Sequence, residues 1–339
     1  MKETLKFITL FALIGMLGCS EDPEGPLLSD LYGEFNLIAG LEVSSEAVDF
    51  CSGESVFFTA EFSKSTDWEL RIQGLSSGSE KIISGKSRRL DATNTSWNGS
   101  TTDFPLFRSE QAEITLYVPE DTLYMKDTVS IDVPKCDEGF VLLDFESGEN
   151  PLWDEFVQSG GQMTFNVDDV DTAAQGQYYY DMAGEVDWDW LIGYLYVPAA
   201  SFSDSVLQGG NTLPLSGDPN NVYINFLLNS PPDNANNDQF LLIRINEDED
   251  LDGTFNGANE DQYSVEIRDV DPGWNLYSYR YSELAALTNG QPTSAAGNDL
   301  HEPDKIHQVE ILFLANKELG YSRMLMDYVV FTEGGPLDP

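Results

Sequence analysis

Two consecutive all-β sandwiches are what this sequence predicts, an immunoglobulin-like one followed by a larger jelly roll. Three observations carry that expectation. Apolar and polar residues alternate with period two in many short runs, the signature of half-buried strands. Gly, Ser, Asn and Asp split those runs at short intervals, as turns require. The only helix-like piece is short, Ser282 to Leu287. The chain is highly charged, which favours disorder, but 41% hydrophobic and 12% aromatic content supplies enough apolar surface for packed cores.

Met1 to Gly18 has a basic start (Lys2, Lys6) and an apolar run from Phe7 to Leu17. That run is too short to span a bilayer as a permanent helix and reads as a signal peptide, residues 1–18. Its ending, Leu17-Gly18-Cys19, resembles a bacterial lipobox, and the resemblance implies that Cys19 is lipidated and becomes the first residue. Ser20-Glu21-Asp22 resembles the acidic export tag of Bacteroidetes lipoproteins, which implies the outer face of the outer membrane. The alternative is a lipoprotein that faces the periplasm. Residues 19–30 form an acidic, Pro/Gly-containing tether.

Residues 31–136 hold strand-like runs such as Ser55 to Ala60, Trp68 to Ile72, Ala112 to Val118 and Thr128 to Val133. Their spacing suits a small Greek-key sandwich. Trp68 alternates with Leu70 and Ile72, so it belongs to the core. Trp97 lies in a Ser/Asn/Gly turn. Cys51 and Cys136 fall near the two ends of this unit, in an exported chain where a disulfide persists. Sequence does not test the geometry a disulfide needs, so bonded and free thiols both stay open.

Residues 137–339 open on Phe140 to Gly148 and close on Met324 to Phe331. Between them lie Val222 to Leu228, Phe240 to Ile245, Gln262 to Ile267, Trp274 to Tyr279 and Val309 to Leu314. About ten strands of this kind make a jelly-roll sandwich.

The formal charge is −42. From Asp137 onward, 37 acids face 6 basic residues. Such a field repels nucleic acid and anionic membranes and favours neutral or cationic ligands and Ca²⁺.

Gln177 to Val197 concentrates seven aromatic rings among four acids, with no Lys or Arg. Met182-Ala183-Gly184 can turn the chain, giving two strands joined by a bend. Flat rings beside carboxylates suit a sugar, whose C–H faces pack on aromatic planes and whose hydroxyls donate to acids. Trp188, Trp190, Tyr179 and Trp153 are the expected stacking residues. Asp248, Asp250 and Asp252 with Gly253 match the start of a calcium loop, although Asn259 stands where the pattern wants a bidentate Glu and Glu260 comes one step late. An acidic hairpin tip between two strands explains the same residues.

The opening Asp144-Phe-Glu-x-Gly148 followed by Trp153, and the closing Leu325-x-Asp-Tyr-x-x-Phe331, resemble the first and last strands of carbohydrate-binding jelly rolls. The whole layout resembles the surface glycan-binding lipoproteins of Bacteroidetes polysaccharide-utilisation loci. The resemblance implies non-catalytic capture of a polysaccharide or oligosaccharide. It also implies an outer-membrane lipid anchor, and a neighbouring TonB-dependent transporter with its partner lipoprotein. It further implies a structural Ca²⁺ held by Glu146 and Asp327, and one hard cation joining both chain ends would neutralise nearby acids. An H-E-x-x-H motif and Gly-rich phosphate loops are absent. A jelly-roll hydrolase or lyase and a protein-binding adhesin are the other classes. Paired acids decide nothing in a chain with 59 of them.

Overall fold

The computed structural model describes residues 33–187, 190–232, 234, 238–288 and 290–339. The expected signal peptide, Cys19, the tether and Trp188 lie outside the described residues. The described chain is all-β, with 3₁₀ turns between strands.

The first six strands are β1 (Leu37–Val43), β2 (Ala47–Asp49), β3 (Phe58–Gly74), β4 (Glu80–Leu90), β5 (Glu110–Val118) and β6 (Leu123–Val133). They join into one hydrogen-bonded sheet ordered β1-β3-β5-β6-β2, with β4 also on β3. The 17-residue β3 makes this possible: its first residues pair with β1 and its last with β5. Alternate residues of β3 point inward, so Phe58, Phe62, Leu70 and Ile72 are buried together with Trp68. Trp97 joins this core rather than the surface, its ring edge-on to Phe50 and Phe107 and its Nε1 donating to the Ser100 carbonyl at 2.8 Å. Cys51 and Cys136 are disulfide-bonded, with 4.6 Å between their Cα atoms.

Thirteen further strands follow: β7 (Phe140–Leu143), β8 (Asp154–Val157), β9 (Gly160–Asp168), β10 (Tyr179–Val186), β11 (Leu191–Pro198), β12 (Val222–Asn229), β13 (Gln239–Glu247), β14 (Gln262–Ile267), β15 (Asn275–Arg280), β16 (Ala286–Thr288), β17 (Gln291–Thr293), β18 (Ile306–Ala315) and β19 (Ser322–Glu333). One sheet runs β15-β12-β19-β10-β9 with β7 on β19; the other runs β14-β13-β18-β11-β8. Ile224 and Phe226 of β12 and Met324 and Met326 of β19 share a core with Leu241, Ile243 and Ile245 of β13 and Ile311 and Phe313 of β18. This is a sandwich of two antiparallel sheets.

β19 is buried along nearly its whole length, which explains the apolar run Met324 to Phe331, broken by Asp327 alone. One face meets the sandwich core. On the other, Tyr328 and Val330 pack with Ala174, Leu337, Phe104 and Leu106. The 104–108 segment also hydrogen-bonds there: Leu106 N–H donates to the Ala174 carbonyl at 2.7 Å, and Arg108 Nη1 to the Gly176 carbonyl at 2.9 Å.

Two local expectations fail. Met182-Ala183-Gly184 does not turn; it lies inside β10, buried and paired with both β9 and β19. Tertiary pairing overrides the local turn preference of glycine, and β10 runs on to Val186. Ser282 to Leu287 is not a helix but a 3₁₀ turn (Tyr281–Glu283) leading into β16.

Candidate functional site

On the five-stranded sheet, even-numbered residues of β8, β13 and β14, of β18 from Gln308 onward and of the register-paired part of β11 face away from the core. Odd-numbered neighbours such as Leu241, Ile243, Ile311 and Phe313 are buried. Strand register sets the outward residues in rows. Phe156, Tyr194, Leu312, Leu242 and Glu266 form one row; Asp154, Tyr196, Glu310, Arg244 and Ser264 form the next. Such cross-strand neighbours are close enough for their side chains to touch. Tyr194 stacks on Tyr196 at 4.1 Å between ring centroids and on Phe156 at 5.4 Å. Trp190 lies 6.4 Å from Phe240, and the Arg268 guanidinium sits 4.1 Å over the Phe240 ring.

Part of this face is a groove of about 530 Å³ lined by Trp190, Phe240, Leu242, Arg244, Glu266, Arg268 and Leu314, walled on one side by Leu287 and Gly290 of the β16–β17 hairpin. That size suits a small ligand or a few sugar units. Its polar groups hold one another in place. Arg268 Nε donates to Glu266 at 2.6 Å, Arg244 pairs with Glu310 at 3.6 Å, and Asn246 donates to Glu310 at 2.7 Å. Burial, with the Glu310 charge behind it, pushes the Tyr196 hydroxyl up to about 12, so it stays a neutral donor at any working pH. An apolar floor of ring faces rimmed by fixed donors and acceptors can hold a neutral polyhydroxylated ring.

Of the expected stacking residues, Trp190 is on this face and exposed. Tyr179 is not a platform: it is fully buried beside Trp274, its hydroxyl against Asp171. Trp153 is half-buried and packs edge-on to Phe145 against the sandwich core. Trp188 is outside the described residues. Sequence reasoning missed Phe156 and Phe240, and counted Tyr194 and Tyr196 among the seven rings without choosing them. The Tyr194-x-Tyr196 alternation within β11 was the available signal; which parity faces out depends on the register shift between Leu191 and Gly193.

Glu146 and Asp327 do meet at one place, the 174–178 loop. Glu146 Oε1 accepts the Gln177 and Tyr178 amides at 2.8 and 2.9 Å; Asp327 accepts those of Gln175 and Tyr328 at 2.8 and 2.7 Å. Burial holds the Asp327 carboxyl well above its usual range, against the pull of these amides, and the Glu146 charge pushes it further up. Two acids brought together from the opening and closing segments, one wholly buried, fit a hard cation.

At the tip of the β13–β14 hairpin, Asp248, Asp250 and Glu260 each bring a carboxylate oxygen within 4.8 Å of the others. Asp252 is not in this group: its Oδ1 instead caps Thr254, at 2.9 Å from the amide and 2.5 Å from the hydroxyl. Glu260, one step beyond the pattern, takes the place because the loop turns back through Asn256, whose amide donates to it. A second trio, Glu247, Glu249 and Asp261, converges in the same way.

No family model matches the chain, and no curated protein matches it. Among solved structures, it is similar to a carbohydrate-binding module of the β-sandwich superfamily at 11% identity, over 89% of this chain and 99% of that one, with a TM-score of 0.37. It is similar to the family 11 carbohydrate-binding module of Clostridium thermocellum in complex with a β-1,3-1,4-mixed-linked tetrasaccharide at 15% identity, over 59% and 98%, with a TM-score of 0.39. It is also similar to SGBP-B of a complex xyloglucan utilization locus in Bacteroides uniformis at 12% identity, over 87% and 74%, with a TM-score of 0.34. At these values the likeness is one of all-β architecture.

Proposed function

We propose that this chain captures a polysaccharide or oligosaccharide without chemistry, on the outward face of the five-stranded sheet. The observation that carries the reading is the ladder Phe156–Tyr194–Tyr196 continuing past the Trp190–Phe240 groove. A row of aromatic side chains beside a groove of this size suits a chain of sugars. The lipobox-like Leu17-Gly18-Cys19 supports a lipid-anchored protein, and the acidic Ser20-Glu21-Asp22 supports its exposure at the cell surface, where it would act beside a transporter. Calorimetry against a panel of soluble polysaccharides tests this. Binding with no release of reducing ends supports capture; turnover supports a hydrolase or lyase; silence across the panel supports an adhesin.

Calcium belongs to the same proposal as a structural ion. Glu146 and Asp327 would hold one, tying the chain ends to the 174–178 loop; Asp248 and Asp250 with Glu260 would hold another at the hairpin tip. EDTA should then lower the melting temperature by several degrees, and Glu146→Gln should remove part of that sensitivity. A melting curve indifferent to EDTA would end the calcium reading.

A further inference from the structure

The second acidic trio differs from the loop cluster beside it. Glu247 and Glu249 point to one side of the hairpin tip, and the alternating Asp248 and Asp250 to the other. Glu247 and Asp261 are fully buried. Donors reach both oxygens of Asp261, whose Oδ2 accepts the Tyr263 hydroxyl at 3.3 Å, but one oxygen each of Glu247 and Glu249. Glu247 Oε1 accepts the Tyr281 hydroxyl and the Glu302 amide at 2.6 and 2.7 Å. Glu249 Oε1 accepts the Asp261 and Asn298 amides at 3.0 and 3.2 Å, and Asp261 Oδ1 accepts the Gly297 amide at 2.6 Å. Glu247 Oε2, by contrast, is buried with no hydrogen-bond partner. A buried carboxylate oxygen without a donor is costly, and three carboxylates this close repel one another. The nearby ammonium of Lys305 is paired with Glu302 at 2.8 Å. The chain is drawn in tightly here: a Cβ on Gly297 would run into the Glu249 carboxylate, so a larger residue would push that group out of place.

We infer that Glu247, Glu249 and Asp261 form a Ca²⁺ site of their own, separate from the Asp248–Asp250–Glu260 cluster, whose ion clamps the β13–β14 hairpin to residues 297–302. An all-oxygen, all-anionic donor set selects a hard cation over softer metals. Ca²⁺ accepts irregular coordination by mixed carboxylates, whereas Mg²⁺ demands a near-ideal octahedron and keeps several waters. The vacant oxygen of Glu247 becomes a ligand, and the three charges are neutralised together.

The test counts ions on the EDTA-stripped, purified chain by calorimetric titration with CaCl₂. Glu249→Gln loses one equivalent, Asp250→Asn loses a different one, and the double variant loses both. The inference is overturned if Glu249→Gln keeps every wild-type equivalent, or if the double variant loses no more than either single one. A measurement on unaltered trio residues guards against misfolding. In the Asp250→Asn protein, saturating Ca²⁺ slows hydrogen exchange of the Gly297, Asn298 and Glu302 amides by about tenfold or more. Exchange at those amides that ignores Ca²⁺ overturns the inference equally.

Discussion

Trp190 and Tyr196 present ring surface outward while contributing little to either core, so each can be removed without unfolding the protein. Trp190→Ala and Tyr196→Ala are each expected to weaken glycan binding by about 1–3 kcal/mol, roughly 5- to 150-fold in Kd, with an unchanged melting temperature. Affinity electrophoresis beside thermal melts reads both quantities. Tyr179→Ala should do the reverse, since deleting a fully buried ring costs about 3–5 kcal/mol of stability and touches binding only through loss of fold. A different residue-scale dependence joins β10 to β19. Arg323 grips the buried Asp181 carboxylate at 2.8–3.2 Å and reaches Asp171 at 3.0 Å. Arg323→Met leaves that acid buried without its guanidinium. A loss of about 3–5 kcal/mol is expected in urea unfolding, and a loss below 1 kcal/mol would show the ion pair to be dispensable.

The disulfide is the clearest element-scale staple, closing an 85-residue span from the end of β2 to the segment after β6. Replacing both Cys51 and Cys136 with Ser should cost about 2–4 kcal/mol, measured as a shifted urea midpoint. Strands were the most legible elements. Period-two alternation marked Trp68 to Ile72 correctly, because half-buried strands must alternate, and the apolar run Phe240 to Ile245 was also a strand. Met182-Ala183-Gly184 was misread as a turn because pairing on both edges of β10, a long-range fact, decided its conformation. The candidate site was legible only in part. Composition pointed to rings among acids, and Trp190, Tyr194 and Tyr196 do lie on the outward face. Tyr179 was misplaced because the phase of alternation is set by strand partners and register shifts that no local window contains. Phe156 and Phe240 were invisible as site residues because β8 and β13 come beside β11 and β18 only in the folded sheet. Glu260 was legible as an acid but not as a partner of Asp248, since loop curvature brought it in.

At the scale of the whole molecule, charge sets what can approach. The chain carries −42, and the groove's two arginines are already matched by Glu310 and by Glu266 with Asp238. A neutral glycan displaces few counterions, so its Kd should change less than about twofold between roughly 50 and 500 mM NaCl. A polyanionic glycan should bind worse as salt falls, and isothermal titration at the two salt concentrations compares them. The 104–108 segment, seated against the 174–176 loop and β19, has a mechanical consequence. Under the proposed capture and anchoring, a polymer lodged in the groove would pull on the second sandwich, and a chain held by its N-terminal end would resist through the first sheet. Residues 134–139 carry that load in series. Leu106 on Ala174, Arg108 on Gly176 and Lys135 on the Asp338 carbonyl carry it in parallel. Bonds loaded side by side share the tension, so the junction would act as a stiff strut, and a tug on a captured chain would arrive at the other end without first paying out slack.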